Sequence, residues 1–367
     1  MIVGVPTEIK PQENRVGLIP SGVKELATRG HKVLVQQGAG LGSGISDDEY
    51  IRAGATIVPT AEEIWGKGDM VWKVKEPLKS EYPLMRAGQI LYTYLHLAPD
   101  LPQTQALIKA KNIAIAYETI QTDNGALPLL APMSEVAGRL SIQAGARCLE
   151  KVSGGRGVLL GGVPGVLPGR VLVIGGGIVG ASAVRMAVGL GADVIVMDIS
   201  IDRLRDFDNE YHGAVQTLYS TPHNLEWALS RSDLVVGAVL VAGARAPHII
   251  TRAHLGLMKP GAAIVDVAVD QGGCAETTHA TTHADPTYVV DGIVHYAVAN
   301  MPGAVARTST FALNNATLRY GLALADKGWE RAIREDAALK KGLNVCQGHV
   351  TYEEVAQAHN LQFQPID

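Results

Sequence analysis

The strongest constraint on how this chain folds is the segment Val171-Leu-Val-Ile-Gly175-Gly176-Gly177-Ile-Val-Gly180, followed farther along by Asp198. An apolar run, a G-x-G-x-x-G turn, a helical pattern, a second apolar run over Asp193 to Met197 and a terminal acid make one βαβ unit. Each piece has a physical task in holding a dinucleotide. Gly175 permits the tight turn, Gly177 lets the backbone approach a pyrophosphate, and Gly180 lets the new helix pack closely on the sheet. The first amides of that helix are unpaired donors at the positive end of a macrodipole, which suits an anionic diphosphate. Asp198 closes the second strand, where its carboxylate accepts hydrogen bonds from ribose hydroxyls. The same negative charge repels a 2′-phosphate, so NAD is expected in preference to NADP. Arg203 and Arg205, just downstream, are what an NADP reading needs; they read instead as solvated helix charges.

A chain of 367 residues suits two domains, each able to bury a core. With 47% hydrophobic and 19% charged residues it reads as a globular protein. A formal charge of −4 and the lack of a basic block argue against nucleic acid as a partner. The N-terminus has no basic segment followed by an apolar one, and the uncharged run Leu234–Ala244 is too short to span a bilayer. No membrane partner and a cytoplasmic location are therefore expected. Cys148, Cys274 and Cys346 are odd in number and widely spaced, which fits reduced, structural thiols.

Apolar runs continue past the fingerprint at 194–197, 214–219, 233–240, 262–269 and 289–298, with helical stretches such as Asn224–Ser230 between some of them. Continuous rather than alternating runs imply strands covered on both faces, hence a parallel doubly wound sheet. The first 130 residues repeat that logic without a nucleotide turn. Their runs fall at Ile2–Pro6, Val33–Val35, Met70–Val74, Ile90–Leu95 and Ile113–Tyr117, with helices predicted over Ser21–Arg29, begun by a capping-type serine, and Leu101–Lys111. Residues 134–150 read as a helix. Ser153–Gly169, rich in glycine and interspersed with Val and Leu, reads as an ordered, packed loop rather than a flexible linker. After residue 303 the pattern is helical, through Ser309–Asp326 and Trp329–Leu339. The expected fold class is α/β, with two doubly wound, Rossmann-like domains and a cleft between them.

Ligands in such sheets gather beyond the carboxyl ends of the strands. That rule selects Lys75 after Met70–Val74, His96 after Ile90–Leu95, Asp270 after Ala262–Val269, and Arg15 in the loop after the first strand. Singly, each has an ordinary reading as a solvated charge or a satisfied histidine. Jointly, two cations, an imidazole and a carboxylate suit a small carboxylate substrate that undergoes hydride and proton transfer. His279 and His283 have the i, i+4 spacing of metal-binding helices, but their surroundings read as loop and no third ligand is evident, so no metal is predicted. No G-x-S-x-G supports nucleophilic catalysis.

These residues sit in stretches similar to a known family. Gly4-Val-Pro-Thr-Glu-Ile-Lys-Pro-Gln-Glu-Asn-Arg-Val-Gly-Leu, Trp72-Lys-Val-Lys-Glu-Pro, Tyr94-Leu-His-Leu-Ala, Ala131-Pro-Met-Ser-Glu-Val-Ala-Gly, Gly161-Gly-Val-Pro-Gly-Val, Asp266-Val-Ala-Val-Asp-Gln-Gly-Gly and Ala299-Asn-Met-Pro-Gly-Ala-Val occur in order. The chain resembles the family of alanine dehydrogenases and the nucleotide-binding part of proton-pumping nicotinamide nucleotide transhydrogenase. That resemblance implies reversible oxidative deamination of L-alanine to pyruvate and ammonia with NAD, by a homohexamer. It implies a substrate domain built from 1–130 plus 303–367 around an NAD-binding domain at 131–302. It implies that Arg15 and Lys75 hold the substrate carboxylate and that His96 and Asp270 are acid/base groups. Ser134, Ile178, Val179, Asp198, Arg203, Ser220, Val239, Leu240, Val267, Ala268, Val269, Asp270, Val298, Ala299, Asn300 and Met301 match cofactor contacts, beside Gly175, Gly177 and Gly180. The chain departs from the family where His279 replaces a basic residue near the pyrophosphate, and where Ala323 and Lys327 replace magnesium ligands found in some members. The rival readings are the transhydrogenase subunit, whose members typically lack a histidine matching His96, and a catalytically silent NAD-binding sensor.

Overall fold

The computed structural model describes residues 1–239 and 248–366. The chain divides into two compact units, Met1–Met133 together with the stretch from Val305 onward, and Ser134–Ala304. Each is an α/β layer structure with its own sheet.

The first unit contains β1 (Ile2–Val5), β2 (Lys32–Gln36), β3 (Thr56–Val58), β4 (Met70–Trp72), β5 (Ile90–Thr93) and β6 (Ile113–Ala116). The second contains β7 (Arg170–Ile174), β8 (Asp193–Asp198), β9 (Val215–Tyr219), β10 (Leu234–Gly237), β11 (Ala263–Asp266), β12 (Thr287–Val290) and β13 (Ile293–Tyr296). Late in the chain, β14 (Leu343–Cys346) and β15 (His349–Val350) return to the first sheet. The sheet orders are β15-β14-β6-β5-β4-β1-β2-β3 and β12-β13-β11-β10-β7-β8-β9. Both contain the same parallel arrangement, in which the order reverses beside the first strand, between β1 and β4 and between β7 and β10. Each sheet therefore has a switch point where loops on opposite sides diverge and leave a crevice.

Burial explains the strands. All of β4, β5, β6, β10 and β11 are buried, as expected of parallel strands covered on both faces. The exclusively parallel expectation needs correction at the edges, because β12, β14 and β15 pair antiparallel. The run 289–298 is not one strand: it holds the end of β12, a hairpin turn and all of β13. Asp291 and Gly292 both have positive φ (48° and 78°), as a two-residue primed turn requires, and this reverses the chain between β12 and β13. Gln347 and Gly348 (50° and 97°) do the same between β14 and β15, so this part of the region after residue 303 is strand and turn rather than helix.

Other boundaries shift for local reasons. The first helix is Pro20–Thr28, and its N-cap is Ile19 rather than Ser21; Pro20 occupies the first turn, where its missing N–H costs nothing. Asn314 substitutes for a cap by accepting the Ile19 N–H at 3.2 Å. Asp100 caps Leu101–Ala110, and Lys111 ends it in a left-handed conformation. The predicted 134–150 helix is Ala131–Cys148, and the late helices are Ala306–Lys327, Trp329–Glu335 and Ala337–Lys341. The glycine-rich loop contains a tight antiparallel bridge, Val163 to Val166, but it is not packed as expected. Leu159, Val163, Val166 and Leu167 are exposed, and only Leu160 among its large apolar residues is buried. No helix among the described residues is long and apolar enough to cross a membrane.

Candidate functional site

The glycine turn joins β7 to the helix Ile178–Gly189, with Gly177 as the N-cap. Gly175 has φ of 98°, a conformation that side chains rarely adopt. A Cβ on Gly180 would lie 1.8 Å from the Gly175 carbonyl oxygen, so only glycine lets the helix seat against the turn. At Gly177 an added Cβ would meet nothing within 4 Å. That open space beside a helix N-terminus fits a diphosphate approaching the backbone. Ile178, Ile199 and Ile201 are exposed around the turn, giving apolar surface of the kind an adenine ring covers.

Asp198, the last residue of β8, is half-buried. Its Oδ2 accepts the Gly176 N–H at 2.6 Å and Oδ1 accepts the Ser200 N–H at 2.8 Å. The acid thus also shapes the turn, a task the sequence reading did not assign to it. Arg203 donates to the Gly176 carbonyl, pairs with Asp206 at 3.1 Å and lies over the Phe207 ring. Arg205 pairs with Asp202. Both arginines are engaged with their own helix and turn rather than extended toward a 2′-phosphate. Ser220 follows β9, its N–H bonded to the Asp198 carbonyl. Val239 follows β10 half-buried, whereas Leu240 lies outside the described residues. Ser134 is half-buried on the helix Ala131–Cys148.

Asp270 does not end a strand. It lies exposed in a single 3-10 turn, Val269–Gln271, after β11 stops at Asp266. The charge within β11 is Asp266, which is 1% exposed and accepts N–H groups from Ala268 (3.2 Å), Cys274 (2.9 Å) and Ala275 (3.2 Å), with the Cys274 thiol at 3.2 Å. One buried carboxylate therefore ties both ends of the loop that carries Val267, Ala268, Val269 and Asp270. Beyond β13, Val298 and Met301 are buried, Ala299 is exposed, and the Asn300 carbonyl meets the His283 ring at 2.9 Å. His279 stacks on Tyr288, with ring centroids 3.8 Å apart.

In the first unit, the loops after β1, β4 and β5 carry Arg15, Lys75 and His96, on the two sides of the switch point. Here too the strands stop earlier than expected, at Trp72 and Thr93, so Lys75 and His96 stand on the loops beyond them. Arg15 is buried and its fork is engaged: Nε and Nη2 each lie 2.6 Å from the Glu13 carboxylate, and Nη1 lies 3.2 Å from Met133 Sδ. Burial works against the Arg15 cation, but Glu13 outweighs it and raises the pKa. Lys75 has the opposite balance. Burial lowers its pKa, and the neighbouring Arg15 adds to the effect. His96 is exposed, and its ring stacks on Tyr94 with centroids 5.8 Å apart.

Sequence reasoning missed the support beneath these groups. Lys73 is fully buried between Glu81 (2.9 Å) and Glu8 (3.3 Å). Burial lowers its pKa, yet the two carboxylates reverse the sign and keep the ammonium charged. Glu8 then accepts the Val74 N–H at 2.6 Å and the Lys75 N–H at 3.4 Å, while Glu81 accepts the Leu78 N–H at 2.9 Å. Lysine at the end of an otherwise apolar run was the available signal, since a buried charge requires counter-charges. Ser43 and Thr310 fix the loop of Arg15 from the side, with Thr310 accepting the Val16 N–H at 3.2 Å.

Known proteins resemble the chain along nearly its whole length. Residues 4–137 match the alanine dehydrogenase/PNT N-terminal domain and residues 141–353 the alanine dehydrogenase/PNT C-terminal domain. The alanine dehydrogenase of Methanococcus maripaludis is 54% identical over 368 residues, covering 100% of this chain and 99% of the relative. That of Halomonas elongata is 56% identical over 363 residues, covering 99% and 98%. A solved L-alanine dehydrogenase superposes with a TM-score of 0.96 at 52% identity, covering 98% of this chain and 99% of the other. A transhydrogenase from Sinorhizobium meliloti reaches a TM-score of 0.84 at 24% identity over 95% of this chain and 100% of its own, which shows a common fold. With both domains matched in order over nearly its whole length, the chain belongs to the alanine dehydrogenase/PNT family.

Proposed function

We propose that the chain catalyses the reversible, NAD-dependent oxidative deamination of L-alanine to pyruvate and ammonia, in the cytoplasm and as a homohexamer. The observation that carries this reading is full-length similarity above 50% to alanine dehydrogenases, joined to a cationic set on one sheet and a dinucleotide turn on the other. In this reading 131–302 is the NAD-binding domain, and 1–130 plus 303–367 is the substrate domain. NAD rather than NADP is supported by the Asp198 carboxylate and by the prior engagement of Arg203 and Arg205. Self-association is supported by the exposed apolar side chains of the 159–167 loop, surface that a lone chain leaves in water.

When bound, the cofactor supplies the hydride acceptor for alanine oxidation and the donor for pyruvate amination. Gly177 would leave room for its diphosphate at the helix N-terminus, Gly175 and Gly180 shape the turn that places that terminus, and Asp198 would receive its ribose. Arg15 and Lys75 hold the substrate carboxylate, which at Arg15 shares the guanidinium with Glu13. Alanine gives up a hydride from Cα and a proton from its ammonium nitrogen to become iminopyruvate; water then adds to the imine carbon and ammonia departs from the resulting carbinolamine. Water addition needs a base and amine departure needs an acid, and His96 and Asp270 exchange these protons.

The test is an absorbance assay of the purified protein with L-alanine and NAD at alkaline pH. NADH formation that depends on alanine is expected. No NADH from alanine, with hydride exchange between two nicotinamide nucleotides instead, overturns the assignment in favour of the transhydrogenase reaction.

A further inference from the structure

Seven non-glycine residues among those described have positive φ, and His96 is one of them at 49°. Lys111, His212 and Asn360 are helix C-caps, and Asp291 and Gln347 occupy hairpin turns, where left-handed backbone is the ordinary solution. Gln12, in the loop after β1, and His96, on the loop after β5, occupy neither kind of position, and His96 is the one with a titratable ring. A bulky residue held there requires neighbours that fix it, and such positions gather at functional sites.

The neighbour is Glu118, in the 3-10 turn Tyr117–Thr119 that follows β6. Its Oε1 and Oε2 accept the Leu95 N–H at 3.1 and 3.2 Å, and Oε1 also accepts the His96 N–H at 2.5 Å. The same Oε1 lies 3.9 Å from Nδ1 of the His96 ring. Gln103 holds the other side of the peptide, donating to the Leu95 carbonyl at 2.9 Å. One carboxylate thus both fixes the backbone of His96 and faces one ring nitrogen.

We infer that Glu118 is the positioning residue of His96. Its two oxygens lock the left-handed turn, and its charge draws the imidazole proton to Nδ1, leaving Nε2 to exchange protons with the substrate. This rests on the reading of His96 as an acid/base group. Glu118 itself touches no substrate and acts through His96.

Glu118→Gln separates the two effects, because Oε1 of the amide still accepts both N–H groups while the charge is lost. The full chain labelled with ¹⁵N-histidine, with His96→Gln used to assign the ring, reports the tautomer. The wild type is expected to carry its proton on Nδ1. In Glu118→Gln, kcat for pyruvate amination should fall by about 10²-fold, with pyruvate KM and NADH affinity unchanged and the Nδ1 signal moved toward the unprotonated form. Glu118→Asp should recover part of the lost kcat. A wild-type ring protonated on Nε2 overturns the inference without any variant, as does wild-type kcat in Glu118→Gln beside an inactive His96→Gln. Normal turnover by His96→Gln instead overturns the acid/base reading of His96 on which the inference stands.

Discussion

At the carboxyl edge of the first sheet, Lys73, Glu8, Glu81, Glu13 and Arg15 are all buried ions, each facing an opposite charge. At the same edge of the second sheet, the glycine turn offers backbone amides and empty space, and the buried charge two strands along, Asp266, is satisfied by N–H groups and a thiol. The strand order is shared, but the means are opposite. A site for a small carboxylate has to concentrate positive charge in little volume, and a desolvated cation is tolerable only inside a network of counter-charges. A site for a long dinucleotide spreads its contacts over a crevice, and its main requirement is that side chains be absent where backbone must approach.

The contrast can be broken most severely at Asp270, the one proposed proton carrier on the second sheet. Asp270→Asn should lower kcat by about 10²–10⁴-fold while NADH binding, followed by fluorescence titration, persists; near-normal turnover would remove it from the proton path. On the first sheet, Lys73→Met leaves Glu8 and Glu81 buried without their cation. Denaturant unfolding should show a loss of about 3–5 kcal/mol, and an unchanged midpoint would mean that this edge does not depend on its ionic core. Gly180→Ala makes the matching break on the second sheet by driving a methyl into the Gly175 carbonyl. NADH affinity should weaken by about 1–3 kcal/mol, the cost of overpacking; a dissociation constant equal to that of the parent would show that the turn yields freely. The smallest effect is expected at Lys75, whose pKa burial and then Arg15 lower. As pH rises through that depressed value the ammonium loses its proton, so one of two cations disappears and the carboxylate is held less well. Pyruvate KM should therefore climb by about tenfold toward alkaline pH, starting below the ordinary lysine range. A Lys75→Arg variant should flatten the profile, and an equally steep rise in that variant would assign the pH dependence elsewhere.

The two edges also differ in how much of them could be read from residues alone. The dinucleotide turn is local: strand, glycines, helix and acid fall within about thirty residues, so spacing reveals them directly. The doubly wound plan was legible for the same reason, because buried parallel strands announce themselves as unbroken apolar runs. The supporting carboxylates were not. Glu8 meets Lys73, and Glu118 meets His96, only because β1, β4, β5 and β6 are neighbours in the sheet. Glu13 is close to Arg15 in sequence, yet nothing in the order of residues says that both point inward. The antiparallel edges were missed where short strands lacked length: β15 has two residues, and Gln347-Gly348 is an inconspicuous turn. Strand ends were overrun because apolar residues continue into the loops; Val74, Leu95 and Ala268 are buried without being strand.

Thr310 and Asn314, on the helix Ala306–Lys327, hold the loop of Arg15 and the start of the first helix, and β14 completes the sheet beside β6. During synthesis the β1 segment precedes these residues, so the first unit waits for more than three hundred further residues to emerge before Thr310, Asn314 and β14 can complete it. The Ser134–Ala304 unit is contiguous and can close while the nascent chain is still growing. The dinucleotide turn can thus form while the loop of Arg15, translated earlier, still lacks the anchors that Thr310 and Asn314 supply.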